Sequence, residues 1–214
     1  MASLRDKHVE GTRRALVAAA RRCFGAAGYG ATSVDDIAAA AGVTKGALYH
    51  HFAGKRDLFV TVYDELEHEL NVRAQSTTTD VTAPLDVLRR GFAAFLDLAL
   101  DPVVQRIALL DAPSVLGTAA KMEIDTRHSL AGVRASIRAS IDDGQIAPLD
   151  PDVVAQLLIA ACSQAALLIA TAADAPRARR DAGAALDRLI TGLAPTETAG
   201  IERPRQRRER PLGR

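Results

Sequence analysis

The chain has 214 residues, 48% hydrophobic and 25% charged, with a formal net charge of +1. That balance excludes disordered, fibrous and disulfide-scaffold classes, and the length allows a sizeable core. The small net charge hides an asymmetry along the chain. Residues 1–56 hold nine Lys or Arg against four Asp or Glu, a net of +5. Residues 57–200 hold twelve against twenty, a net of −8, and residues 201–214 hold six against two, a net of +4. A basic head on an acidic body suits a nucleic-acid reader whose second domain stays off the duplex.

Residues 1–10, with Arg5 and Lys7, read as a mobile arm. They contain no apolar core of a secretory signal, so the expected location is the cytoplasm. Residues 11–27 read as a helix with Leu16, Ala20, Cys23, Phe24 and Ala27 on one face, stopped by Gly28 and Gly30. Ser33 is an N-cap, and Asp36 three residues on completes an approximate capping box. Val34, Ile37, Ala38 and Ala41 recur at helical spacing, and Gly42 ends the helix. Thr44 caps a second short helix whose buried side carries Leu48 and Phe52. Helix, glycine turn and helix over about 34–53 make a helix-turn-helix, whose second helix enters the DNA major groove.

The outer face of that second helix carries donors and cations. Lys45 stands at the end that meets base edges, and Tyr49 and His51 have the reach to bond phosphates. Gly46 and Ala47 lack bulk, so the backbone can approach the groove floor. The expected DNA-facing set is Ser33, Thr44, Lys45, Gly46, Ala47, Tyr49, His50, His51 and Lys55. Asp35 is an acid among phosphate-facing groups. It either turns away or confines base reading to the second helix.

The run GVTKGALYHHFAGKRDLF and the approach to it, RRCF and GAAGYGATSVDDIA, resemble the DNA-binding domain of the tetracycline-repressor (TetR/AcrR) family. The likeness covers about residues 10–70, and the helical plan extends to about 193. It implies a ligand-sensing body and a dimer formed through the last two long helices.

Past Gly54, Phe59, Val62, Tyr63, Leu66 and Leu70 place an apolar stripe on a fourth helix linking head and body. QSTTTDVTAP, at 75–84, is a loop. Helices are expected over 85–100, 103–110, 118–143, 152–173 and 177–193, with a stop at Asp111-Ala-Pro113 and a cap at Gly144. Residues 153–173 carry no charge over 21 positions. Their alanines and Gln156, Ser163, Gln164 and Thr171 argue against a membrane span. That helix is apolar nearly all round, so it is central in the core or covered by a second copy. The expected dimer contacts are Leu157, Leu158, Leu168, Leu186 and Ile190. A ligand pocket is expected with Phe92, Phe95, Leu96, Leu110 and Met122 as walls and His128 and Gln164 as polar groups. Core packing is the competing account for each of these.

The domains expected are a DNA-binding domain at 10–71, a regulatory and dimerisation domain at 72–194, and a disordered basic tail at 195–214. The fold class is all-α, about nine helices, with a three-helix N-terminal head. Cys23 and Cys162 read as small buried hydrophobes. His50 and His51 are adjacent rather than four apart, so they do not form a helical zinc pair. No catalytic set, cofactor or metal is expected. The function expected is a homodimeric repressor on a near-palindromic duplex operator, released by a small molecule. A constitutive DNA-binding regulator is the main rival, and an enzyme on a helical scaffold the remote one.

Overall fold

A computed structural model of the chain describes residues 4–195, and all their regular structure is helical. Helix α1 spans Leu4–Ala31. Residues 4–10, expected as an arm, are its first turns: Leu4, Arg5, Lys7 and Glu10 are good helix formers, and one glycine at 11 costs a helix only about 1 kcal/mol. The run is broken at Gly28, whose φ of 82° lies in the left-handed region that glycine tolerates. The Thr32 hydroxyl donates to the Gly28 carbonyl at 2.8 Å and secures the break.

Helix α2 (Val34–Ala41) starts with the full capping box. Asp36 N–H donates to Ser33 Oγ at 3.1 Å, and Ser33 N–H donates to Asp36 Oδ2 at 2.9 Å. Gly42 ends it at φ 68°, with its own N–H on the Ala39 carbonyl and that of Val43 on Ala38. Helix α3 (Lys45–His51) begins on Thr44, whose Oγ1 accepts from Ala47 N–H at 3.1 Å. Leu48 and Phe52 are buried in one core cluster with Leu16, Ala20, Phe24 and Ile37. This pins the short α3 onto the head while its other side stays open.

Helix α4 (Lys55–Ser76) belongs to both halves and runs through the expected boundary at 71. Near its start, Phe59 meets Phe24 and Tyr29 edge-on, with centroids 5.2 and 5.1 Å away. Further along, Leu66, Leu70 and Ala74 enter the core of the body. Helix α5 is Pro84–Leu98. Helix α6 covers 102–116 without a stop: Pro102–Val104, a π-helical turn at Gln105–Asp111, then Ala112–Leu116. The expected end at Asp111-Ala-Pro113 does not occur, because Pro113 sits in the first turn of the last piece, where its missing N–H is tolerated.

Helices α7 (Thr118–Asp142), α8 (Pro151–Thr171) and α9 (Ala175–Thr191) complete the body. By length and composition α8 could cross a membrane. In this fold it packs against α5, α6, α7 and α9, with Ala155, Ala166 and Ile169 fully buried. Residues 196–214 of the expected tail lie outside the described residues.

Candidate nucleic-acid interface and body cavity

The open face of α3 carries Lys45, Gly46, Tyr49 and His50, all exposed, with Ala47 and His51 half-buried at its edges. A Cβ on Gly46 would meet only Thr44 Oγ1, at 3.9 Å, so the protein itself leaves that side empty. Lys45 Nζ bonds Asp35 Oδ2 at 3.0 Å. The carboxylate's hydrogen bond and charge hold the Lys45 ammonium above its ordinary value. Asp35 therefore does not turn away. It partners the cation at the N-terminal end of α3.

Three of the expected contacts have structural duties. Ser33 and Thr44 use their hydroxyls as helix caps. Ser33 also donates to Asp36 and holds that carboxyl below the usual carboxylate range. Lys55 is turned inward, against expectation. Its ammonium donates to the Tyr29 and Thr32 carbonyls, both at 2.8 Å, and lies 4.2 Å from the Tyr29 ring centre. The break in α1 exposes those carbonyls, and a nearby ammonium satisfies them.

Head and body meet along α6. Tyr29 N–H donates to Asp111 Oδ2 at 2.7 Å. Arg56, at the start of α4, donates to the Val115 carbonyl at 3.1 Å. Neither Asp111 nor Arg56 stood out in the sequence. The signal for Asp111 was Gly28, where a Cβ would come within 3.3 Å of Asp111 Oδ2 and Arg106 Cδ.

The body holds a half-open cavity of about 520 Å³ between α4, α5, α7 and α8, with Leu109 of α6 in its wall. Phe92 and Phe95 line it as expected. The other five expected residues do not. Leu96 is packed in the core behind the wall. Leu110 is 39% exposed, because the π turn puts Ile107, Ala108 and Leu109 inward consecutively and leaves Leu110 outside. Met122 is 52% exposed, and His128 points to Asp64, with Nε2 3.0 Å from Oδ1. Gln164 faces outward. On α7 and α8 the inward phase is about one residue away from the expected one. Lys121, Asp125 and Ser129 face the cavity, as do Cys162 and Ser163.

The cavity is two-sided. Leu88, Phe92, Phe95, Leu109 and Ile159 make its apolar side, on α5, α6 and α8. Glu67 and Asn71 of α4, with Lys121 and Asp125 of α7, bring its charged groups together on a polar side that Val72, Ala74 and Val133 of the same helices continue. Lys121 Nζ donates to Asp125 Oδ2 at 2.7 Å. The Tyr63 hydroxyl donates to Asp125 Oδ1, and burial pushes that phenol far up. Glu67 is only 4% exposed. Burial first, then the Asp125 charge, pushes its carboxyl up to about 7. Burial likewise pushes the Cys162 thiol up to about 12, so it is an unreactive wall residue. Sequence reading missed Glu67 because it sits beside an apolar stripe. Its signal was the four-residue spacing of Tyr63, Glu67 and Asn71.

The expected dimer residues divide. Leu157 and Leu168 are 65% and 55% exposed, on an outer stripe of α8 with Val153 and Gln164, and Leu189 of α9 is exposed as well. Leu158, Leu186 and Ile190 are buried within the chain's own core instead, where α8 packs on α9. Among the described residues no group of three or more His, Cys, Asp or Glu could hold a metal.

A capped helix-turn-helix with an open recognition face, carried on a helical body, defines a DNA-binding transcriptional regulator. Residues 16–62 match the family described as "Bacterial regulatory proteins, tetR family", and residues 85–193 match "Tetracyclin repressor-like, C-terminal domain". The transposon Tn10 TetC protein of Escherichia coli is 31% identical over 154 residues, 72% of this chain and 77% of TetC. The regulator TtgR of Pseudomonas putida is 38% identical over 99 residues, 45% of this chain and 47% of TtgR. The crystal structure of a TetR-family regulator from Pectobacterium atrosepticum superposes with a TM-score of 0.78 at 35% identity, covering 88% of this chain and 96% of that one. The chain belongs to the tetR family of bacterial regulators.

Proposed function

We propose that the protein is a cytoplasmic homodimeric repressor whose hold on a near-palindromic operator is released by a small molecule in the body cavity. One observation carries this reading. Leu109, in the cavity wall, shares α6 with Asp111 and Val115, which bond the head at Tyr29 and Arg56. A ligand that moves α6 moves the seat of the DNA-reading head. Ligand control requires different affinity for the DNA-bound and free shapes, and reciprocity makes operator weaken an inducer by the same factor. Dimerisation is supported by the exposed apolar stripe of Val153, Leu157 and Leu168. Two copies would put two α3 helices about one helical turn apart on the duplex.

Selection of bound sequences from a random duplex pool gives the operator. Compounds that raise the melting temperature of the free protein are then titrated against the operator complex. Release by at least one cavity binder is expected. If every cavity binder leaves operator affinity unchanged, a constitutive regulator is the better reading.

A further inference from the structure

We infer that the cavity selects an amphiphilic cation, an ammonium-bearing molecule whose charge meets Glu67 while its apolar part lies against Phe92 and Phe95. This rests on the effector-site reading above and names the ligand class for it. Charges on the polar side are unequal. Two carboxyl groups, Glu67 and Asp125, stand on the wall with one ammonium, Lys121. Lys121 is committed to Asp125 at 2.7 Å and lies 5.6 Å from the Tyr63 ring centre. The Tyr63 hydroxyl donates its proton to Asp125. Glu67 is left as a buried carboxyl that shares the Lys121 charge and the Tyr63 hydroxyl with Asp125 and has no salt bridge of its own, beside a space large enough for a guest.

A buried carboxylate without a counter-charge is costly, and an incoming cation removes that cost. An anionic guest would face two carboxyl groups. A neutral guest would leave Glu67 as it is. The two-sided wall suits one polar end and one apolar end, with the polar end toward α4 and α7. The charged and titratable groups around Glu67 are Tyr63 and Asp64 on its own helix and Asp125 and Lys121 on α7. Cys162 of α8 lies near it as a neutral thiol.

The test uses three probes on one skeleton: 4-phenylbutylamine, 4-phenylbutanol and 4-phenylbutyrate, titrated into the full-length protein by calorimetry. The ammonium is expected to bind at least about tenfold tighter than the alcohol, and the carboxylate most weakly. Glu67→Gln is expected to close the gap between ammonium and alcohol. The wild type supplies a second readout that needs no variant. Glu67 titrates near 7, so a bound ammonium draws off its proton. Ammonium affinity should fall as pH drops from 8 to 6, with proton release near neutrality, while alcohol affinity stays flat. An alcohol that binds as well as the ammonium, an ammonium preference kept in Glu67→Gln, a flat pH profile or no binding of any probe overturns the inference. The effector-site reading fails differently: probes bind, and operator affinity does not change.

Discussion

Asp111 Oδ2 accepts the backbone N–H of Tyr29 at 2.7 Å, so a body side chain caps the break in a head helix. The contact bridges 82 positions of chain and lies two residues from cavity-lining Leu109. Asp111→Ala leaves the Tyr29 N–H without its acceptor, which should cost about 1–3 kcal/mol of stability. It should also separate compound binding from operator release. Melting curves and operator titrations with a cavity binder check both. Wild-type release by that binder in the variant would rule out this contact as the link.

Lys45→Ala should weaken operator binding roughly 5- to 150-fold and relax base preference at one position. Tyr49→Phe should weaken operator and random duplex alike, because a phosphate contact positions without specifying. Parallel titrations against both duplexes decide it. Wild-type affinity in both variants would remove α3 as the reading helix.

Leu168→Asp puts a charge on the outer stripe of α8, where Leu168 is 55% exposed in the single chain. Dimer dissociation should rise at least about a hundredfold. Sedimentation across micromolar concentrations reads this directly. A wild type that sediments as a monomer there contradicts the dimer.

Glu67 makes stability depend on pH with a definite sign. Its folded carboxyl titrates near 7, above the ordinary 4.5. Below 4.5 both states hold the proton, and nothing is lost. Between 4.5 and 7 the unfolded chain releases its proton first, so stability falls as pH rises, by roughly 3 kcal/mol in all. Above 7 the penalty is constant. Glu67→Gln lacks it, so the variant should gain on the wild type between pH 5 and pH 8 in urea unfolding. A constant difference between the two proteins at both pH values would count against a raised carboxyl.

Gly91 lines the cavity from α5, and a Cβ there would meet nothing within 4 Å. Gly91→Phe should fill the space while gaining only about a few tenths of a kcal/mol from replacing a helical glycine. Operator affinity should persist, and affinity for cavity binders should drop at least tenfold. Calorimetry of both ligands tests it, and undiminished compound binding would place the effector site elsewhere.

The head was legible because its signals are local. Ser33 with Asp36, Gly42 and Thr44 are caps whose chemistry acts within four residues, and each occurs in the structure where sequence reading expects it. The cavity was legible only in part. Phe92 and Phe95 lie on α5, where one stripe alone is apolar and helix phase is plain. On α7 and α8 several faces carry apolar residues, and the packing of neighbours decides which turns inward. The π turn has no local signature, and it displaced Leu110. Lys55 was misread because its partners are carbonyls, and only the folded chain brings them near.

The basic head holds seven described Lys or Arg side chains, Arg13, Arg14, Arg21, Arg22, Lys45, Lys55 and Arg56, and every one already has an internal partner. Those partners are carboxylates, carbonyls and an aromatic ring. Only the Arg21–Glu69 pair draws on an acid outside the head, so pairing takes little from its +5, but an engaged side chain must give up a bond before it meets a phosphate. Where a phosphate lies in reach of a side chain, the internal bond can be exchanged. Elsewhere it holds. The same wiring therefore sets, before any duplex arrives, where each of these cations points.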